Sequence, residues 1–116
     1  MKYLMFVCTD TDTDPVAEAD REAAPEIEDW FGDVEVRGKW VTGDRLRPIT
    51  DATTVRVRSG ELLVTDGPFT ESKECVVGFD VLECDDLDEA LEIAARHPMA
   101  YGGRIEVRPF WPIDGD

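Results

Sequence analysis

The stretch ECVVGFDVLECDDLDEALEIAARHP, residues 74–98, decides the fold class. Its first ten residues alternate as a strand, with Cys75, Val77, Phe79 and Val81 on one parity and Gly78 free to host a bulge or a close approach. From Asp85 the period changes. Asp85 or Asp86 can cap a helix, with Asp88 or Glu89 at the third position. Leu87, Ala90, Leu91 and Ala94 then recur as one stripe that Ile93 widens, and Pro98 stops it. The acidic first turn suits the helix dipole, and Arg96 and His97 suit the far end. His97 is the single histidine, and its position predicts a capping or dipole role.

Downstream, RIEVRPF at 104–110 reads as a last strand. Upstream, TTVRVRSGELLVTDG at 53–67 is a hairpin turning at Ser59-Gly60, with Val55 and Val57 on one side and Thr54, Arg56 and Arg58 on the other. WVTGDRLRP at 40–48 offers Gly43-Asp44 as a turn. KYLMFVC at 2–8 carries apolar groups on both parities, as a central strand does. TDTDTDP at 9–15 is an acidic run of turn formers. Ile27, Trp30, Phe31 and Val34 form one helical face after Pro25, and Gly38 is its exit. Trp30, Phe31, Phe79 and Phe110 are core residues that would line any pocket between helices and sheet.

The order β, α, hairpin, β, α, β in 116 residues predicts one α+β domain. The expectation is a ferredoxin-like sandwich with an added β-hairpin, an antiparallel sheet carrying two helices on one face. Leu4, Phe6 and Leu82 then need cover on the other face, which predicts a two-fold homodimer packed through the sheet.

Net charge is −15, from 27 acidic and 12 basic residues. That field repels nucleic acid and anionic membrane surfaces. An acidic, lysine-poor surface suits a high-salt cytoplasm, and a GC-rich coding bias produces the same composition. Cys8, Cys75 and Cys84 show no metal-ligand spacing, and no secretory or membrane-spanning segment is apparent. The expectation is a cytoplasmic protein with reduced thiols, and no pattern calls for a cofactor.

The sharpest local motif is TDGPFTESKE, 65–74. Two principal readings of Asp66 are open. In one it accepts backbone N–H bonds within a tight Gly67-Pro68 turn. In the other it is a pocket carboxylate beside Glu71 and Glu74, able to act as a general acid or base. Oxygen ligation of a metal by these three is a weaker third, because the spacing matches no calcium loop and no histidines support zinc. Cys75 and Cys8 read as small buried hydrophobes. Arg56 and Arg58, with Arg104 and Arg108, would form a cationic patch for a small anion if brought together, or pair with surface carboxylates. The ligand-binding set is therefore Asp66, Phe69, Glu71, Glu74, Trp30, Arg56 and Arg58.

Taken together, KYLMFV, TTVRVRSGELLVTDGPFTESKE, DLDEALEIAARHP and IEVRP resemble the YCII-related family, in its DGPF-domain subgroup. The resemblance implies a dimeric α/β barrel of ferredoxin-like protomers and, for some members, association with a sigma factor. It also implies a histidine–aspartate pair in related proteins, one of which looks like a dehydrochlorinase. The histidine's position in the first helix is Ile27 here. Two functions follow as expectations. One is a small ligand-binding or regulatory protein with its pocket near the Asp66–Phe69 turn. The other is a small-molecule lyase or dehydrochlorinase-like enzyme using Asp66 as acid or base.

Overall fold

The computed structural model describes residues 1–10, 18–67 and 74–114; for Asp10, Glu74 and Cys75 the backbone alone is described. The acidic run 11–15 and the Pro68–Lys73 part of the turn, with Phe69 and Glu71, lie outside the described residues.

Strand β1 spans Lys2–Asp10, followed by helices α1 (Glu18–Ala23) and α2 (Ile27–Val36). Strand β2 (Trp40–Arg45) leads through a 3-10 turn to β3 (Thr53–Arg58) and β4 (Glu61–Asp66). Strand β5 (Glu74–Glu83), helices α3 (Leu87–Ala95) and α4 (Met99–Gly102), and strand β6 (Arg104–Pro109) complete the order. A four-stranded antiparallel sheet runs β2-β5-β1-β6. Strands β3 and β4 form a separate two-stranded ribbon.

This α+β arrangement matches the expected sandwich and inserted hairpin, but no sheet closes into a barrel. Closure needs the first and last strands of a sheet to pair. Here β2 and β6 are opposite edges, and the ribbon bonds to neither. The barrel implied by the resemblance is therefore not the fold of this chain.

Local chemistry explains the elements. Helix α2 ends in a Schellman motif: the Lys39 N–H donates to Val34 O and the Gly38 N–H to Glu35 O, with Gly38 at φ +71°. At α3, Asp86 accepts from the Glu89 N–H at 2.9 Å, while Glu89 accepts from the Asp85 N–H at 2.9 Å. Ser59 and Gly60 both take positive φ, as a two-residue hairpin turn requires. Gly43-Asp44 is not a turn, because β2 runs straight through it.

Tyr3, Met5, Leu82 and Cys84 on the sheet meet Trp30 and Val34 of α2 and Ala90, Ile93 and Ala94 of α3 in one buried core. Leu82 thus belongs to the helix side and not to the open face. Leu87 and Leu91 are about half exposed, so the buried stripe of α3 is narrower than the spacing suggested and centres on Ala90, Ile93 and Ala94. The open face presents Leu4, Phe6, Phe79 and Val81, all half-buried, with Phe6 opposite Phe79 and Leu4 opposite Val81. No helix among the described residues is long and apolar enough to cross a membrane.

Candidate functional site

On the helix side, one end of the sheet is hollow. Strand pairing sets Gly43 opposite Asp80 and Arg45 opposite Gly78, and the two glycines remove side chains from the floor. A Cβ at Gly43 would strike the Asp80 carboxylate and the Phe79 carbonyl, and one at Gly78 would come within 3.1 Å of the Asp44 carbonyl. The role of Gly43 is close approach. Above this floor stand Ile27, Trp30 and Phe31 of α2, spaced i, i+3, i+4. Trp40 closes one side, with Phe31 edge-on to it at 4.9 Å between ring centroids. The resulting cavity is about 580 Å3, within the range of small-molecule sites.

Two titratable side chains, Asp80 and His97, interrupt this apolar lining. Asp80, half-buried on β5, accepts a hydrogen bond from Trp40 Nε1 at 2.9 Å. Burial pushes its carboxyl above the usual range, and the Asp44 charge adds to this against the opposing Trp40 bond. His97 is buried, edge-on to Trp30 at 4.7 Å. Its Nδ1 accepts from the Met99 N–H at 3.0 Å, at the start of α4. Burial holds its pKa down at about 4. At neutral pH the ring is therefore uncharged, with its proton on Nε2 as a donor. His97 caps α4 and has no charge with which to serve the end of α3. Arg45 and Asp44 line the same cavity.

Of the residues singled out in the sequence, Trp30 reaches this cavity. Its Nε1 also donates to Ile93 O at 2.9 Å, tying α2 to α3. Phe31 lines the cavity as expected of a core aromatic; Phe79 borders it but stands on the open-face parity opposite Phe6, outside the core, and Phe110 is not among the lining residues. Ile27, where the resemblance places a histidine, is on its wall. Asp66 is exposed at the end of β4, opposite Thr53. The adjacent Gly67 N–H donates to Ala52 O, and Thr54 Oγ1 donates to Gly67 O at 2.7 Å. A smaller hollow of about 300 Å3 lies beside Ala52 and Val76. Arg56 and Arg58 belong to the ribbon, whereas Arg104 and Arg108 belong to β6, so the four arginines sit on separate sheets. Glu74 pairs with Asp10 at the start of β5.

Sequence reasoning gives Asp80 and Trp40 no role and His97 only a capping or dipole role. A signal for Asp80 existed: it is a lone acid in GFDVL, on the same parity as the core residue Leu82.

The model of the YCII-related domain matches residues 1–114. The chain belongs to the YCII-related family. This YCII-related chain is also 48% identical, over 67 residues, to Uncharacterized protein R00369 of Rhizobium meliloti (strain 1021). That match covers 56% of this chain and 54% of the relative, so it spans about half the length of the curated protein it resembles.

Proposed function

We propose that this YCII-related protein binds a small, largely aromatic molecule in the cavity between α2, β2 and β5. The observation that carries the reading is a cavity of about 580 Å3 whose lining joins an aromatic wall to two titratable groups, half-buried Asp80 and buried His97. Trp30, Phe31 and Trp40 supply apolar contact area at low conformational cost. Asp80 offers an acceptor and neutral His97 a donor, so a planar ligand with a polar edge is oriented as well as held. Asp66 takes no part in this cavity, and an enzymatic role for it stands as a separate question, tested by Asp66→Asn in a turnover assay. The open face, an apolar strip bordered by Arg104, Glu106 and Arg108 on β6, supports pairing with a second copy through the sheet.

Two tryptophans on the cavity make the test direct. Titration with a panel of small aromatic compounds, read by intrinsic fluorescence and calorimetry, is expected to yield saturable quenching by some members. Ile27→Trp places a larger ring at the half-exposed edge of the wall and is expected to abolish that binding while preserving the melting transition. A panel without a saturable binder, or binding untouched by Ile27→Trp, refutes the reading. Consumption of a bound compound would extend it to catalysis.

A further inference from the structure

The ribbon formed by β3 and β4 carries a ladder that the other described residues leave exposed. Val55 pairs with Val64 and Val57 with Leu62 across the two strands. All four share one face, and their exposures lie between 58% and 66%. The opposite face holds the pairs Thr54–Thr65, Arg56–Leu63 and Arg58–Glu61. A two-stranded ribbon without a second layer is marginal in water, and contiguous exposed aliphatics of this kind mark an interface.

We propose that the ribbon is an intersubunit arm that packs the Val55, Val57, Leu62 and Val64 face against a second copy of this chain. Three observations select that occupant. The cover has to be present whenever the ribbon is folded, which favours a partner made in equal amount. The chain also holds a second uncovered apolar strip on its open sheet face, and a two-fold pair gives each copy one arm and one strip to satisfy. Charge points the same way. The chain carries −15 overall, yet residues 53–66 hold two arginines and two carboxylates, a formal charge of zero. Two strongly acidic copies approach each other at least cost where they are neutral. This inference does not rest on the cavity, and it is separable from pairing through the sheet face alone.

Sedimentation at micromolar protein tests it, with Val57→Asp/Leu62→Asp on the arm and Phe6→Asp on the sheet face. Wild type is expected at twice 13.0 kDa. The arm variant is expected at the monomer mass, with unchanged tryptophan fluorescence. The milder Val55→Thr/Val64→Thr, which retains strand propensity, is expected to weaken self-association at least tenfold (roughly, for removal of two apolar contacts). Amides of 53–66 are expected to exchange at least about tenfold more slowly in the dimer than after dilution to monomer. A wild-type monomer overturns the proposal, including one whose arm is protected only when host extract is added. A dimer in which the arm amides exchange freely also overturns it. An arm variant that stays dimeric while Phe6→Asp dissociates overturns the arm and leaves the sheet face. The reverse result supports the arm and removes the sheet face.

Discussion

Strands β1 and β3 each carry an apolar row, and the two rows have opposite fates. In β1, Met5 and Val7 are 0% and 6% exposed; in β3, Val55 and Val57 are 61% and 59% exposed. Both carry an apolar row on one parity, to which β1 adds a second row on the other, and both pair antiparallel. The difference is the layer above. Met5 lies beneath α2 and α3 and packs in the core with Trp30, Val34 and Ile93, whereas β3 has β4 at its side and no helix of the described residues over it. Alternation creates a face to be buried, but another element has to supply the burial.

The largest expected effect comes from removing the helix layer's anchor. Trp30→Ala takes away a buried ring and its bond to Ile93 O, and should cost about 3–5 kcal/mol in denaturant unfolding. Leu82→Ala in the same core should cost about 2–5 kcal/mol. Val55→Thr on the ribbon should change the unfolding of the monomer core by no more than about 0.5 kcal/mol. Equal costs for Leu82 and Val55 would break the contrast between the two regions.

The next effect is acid sensitivity. Burial depresses the folded-state pKa of His97 to about 4 from 6.5. The unfolded chain therefore binds this proton first as pH falls. Stability is fully present above about pH 6.5 and is lost as pH drops toward about 4, by up to roughly 3 kcal/mol. His97→Gln should flatten that part of the profile measured by chemical unfolding, and a wild-type profile flat from pH 7 to 4 would contradict the buried, neutral ring.

Asp80 has the opposite sign. Its folded-state pKa is raised by burial and by Asp44, so stability is greatest while it is protonated and erodes as pH rises through its raised range. Asp80→Asn keeps an oxygen for Trp40 and removes the charge. The variant should be at least as stable as wild type at neutral pH, by thermal melting, while the cavity loses its carboxylate.

The smallest effect concerns the surface network joining α2 to α3. Lys39 pairs with Glu89 at 3.0 Å and Arg37 with Glu92 at 3.0 Å, all partly exposed. Arg37→Met should shift Tm by about 2 °C or less in low salt, and the shift should vanish as salt screens the pair.

Much of the fold was legible because its signals are local. The Ser59-Gly60 turn, the Asp86 cap, the Gly38 exit and the i, i+3, i+4 face of α2 each depend on a few neighbouring residues. The site was legible only in part. Trp30, Phe31 and Ile27 follow from the helical period. The lining shared by Asp80, Trp40 and His97 joins positions up to 57 residues apart, and no local pattern links them. Leu82 lies on the helix side because the register of β5 against β1 sets it opposite Tyr3, and that register is not written in either strand alone.

The sequence by itself determined where chain segments would turn, cap and alternate, because those outcomes are settled by dihedral preference and hydrogen bonding over a few residues. Tertiary structure alone decided which alternating faces received cover, where one glycine on β2 and one on β5 would leave a cavity, and which acid and imidazole would share it. Those outcomes depend on the register and packing of distant strands, and free energies of burial are set by what lies opposite a side chain in space.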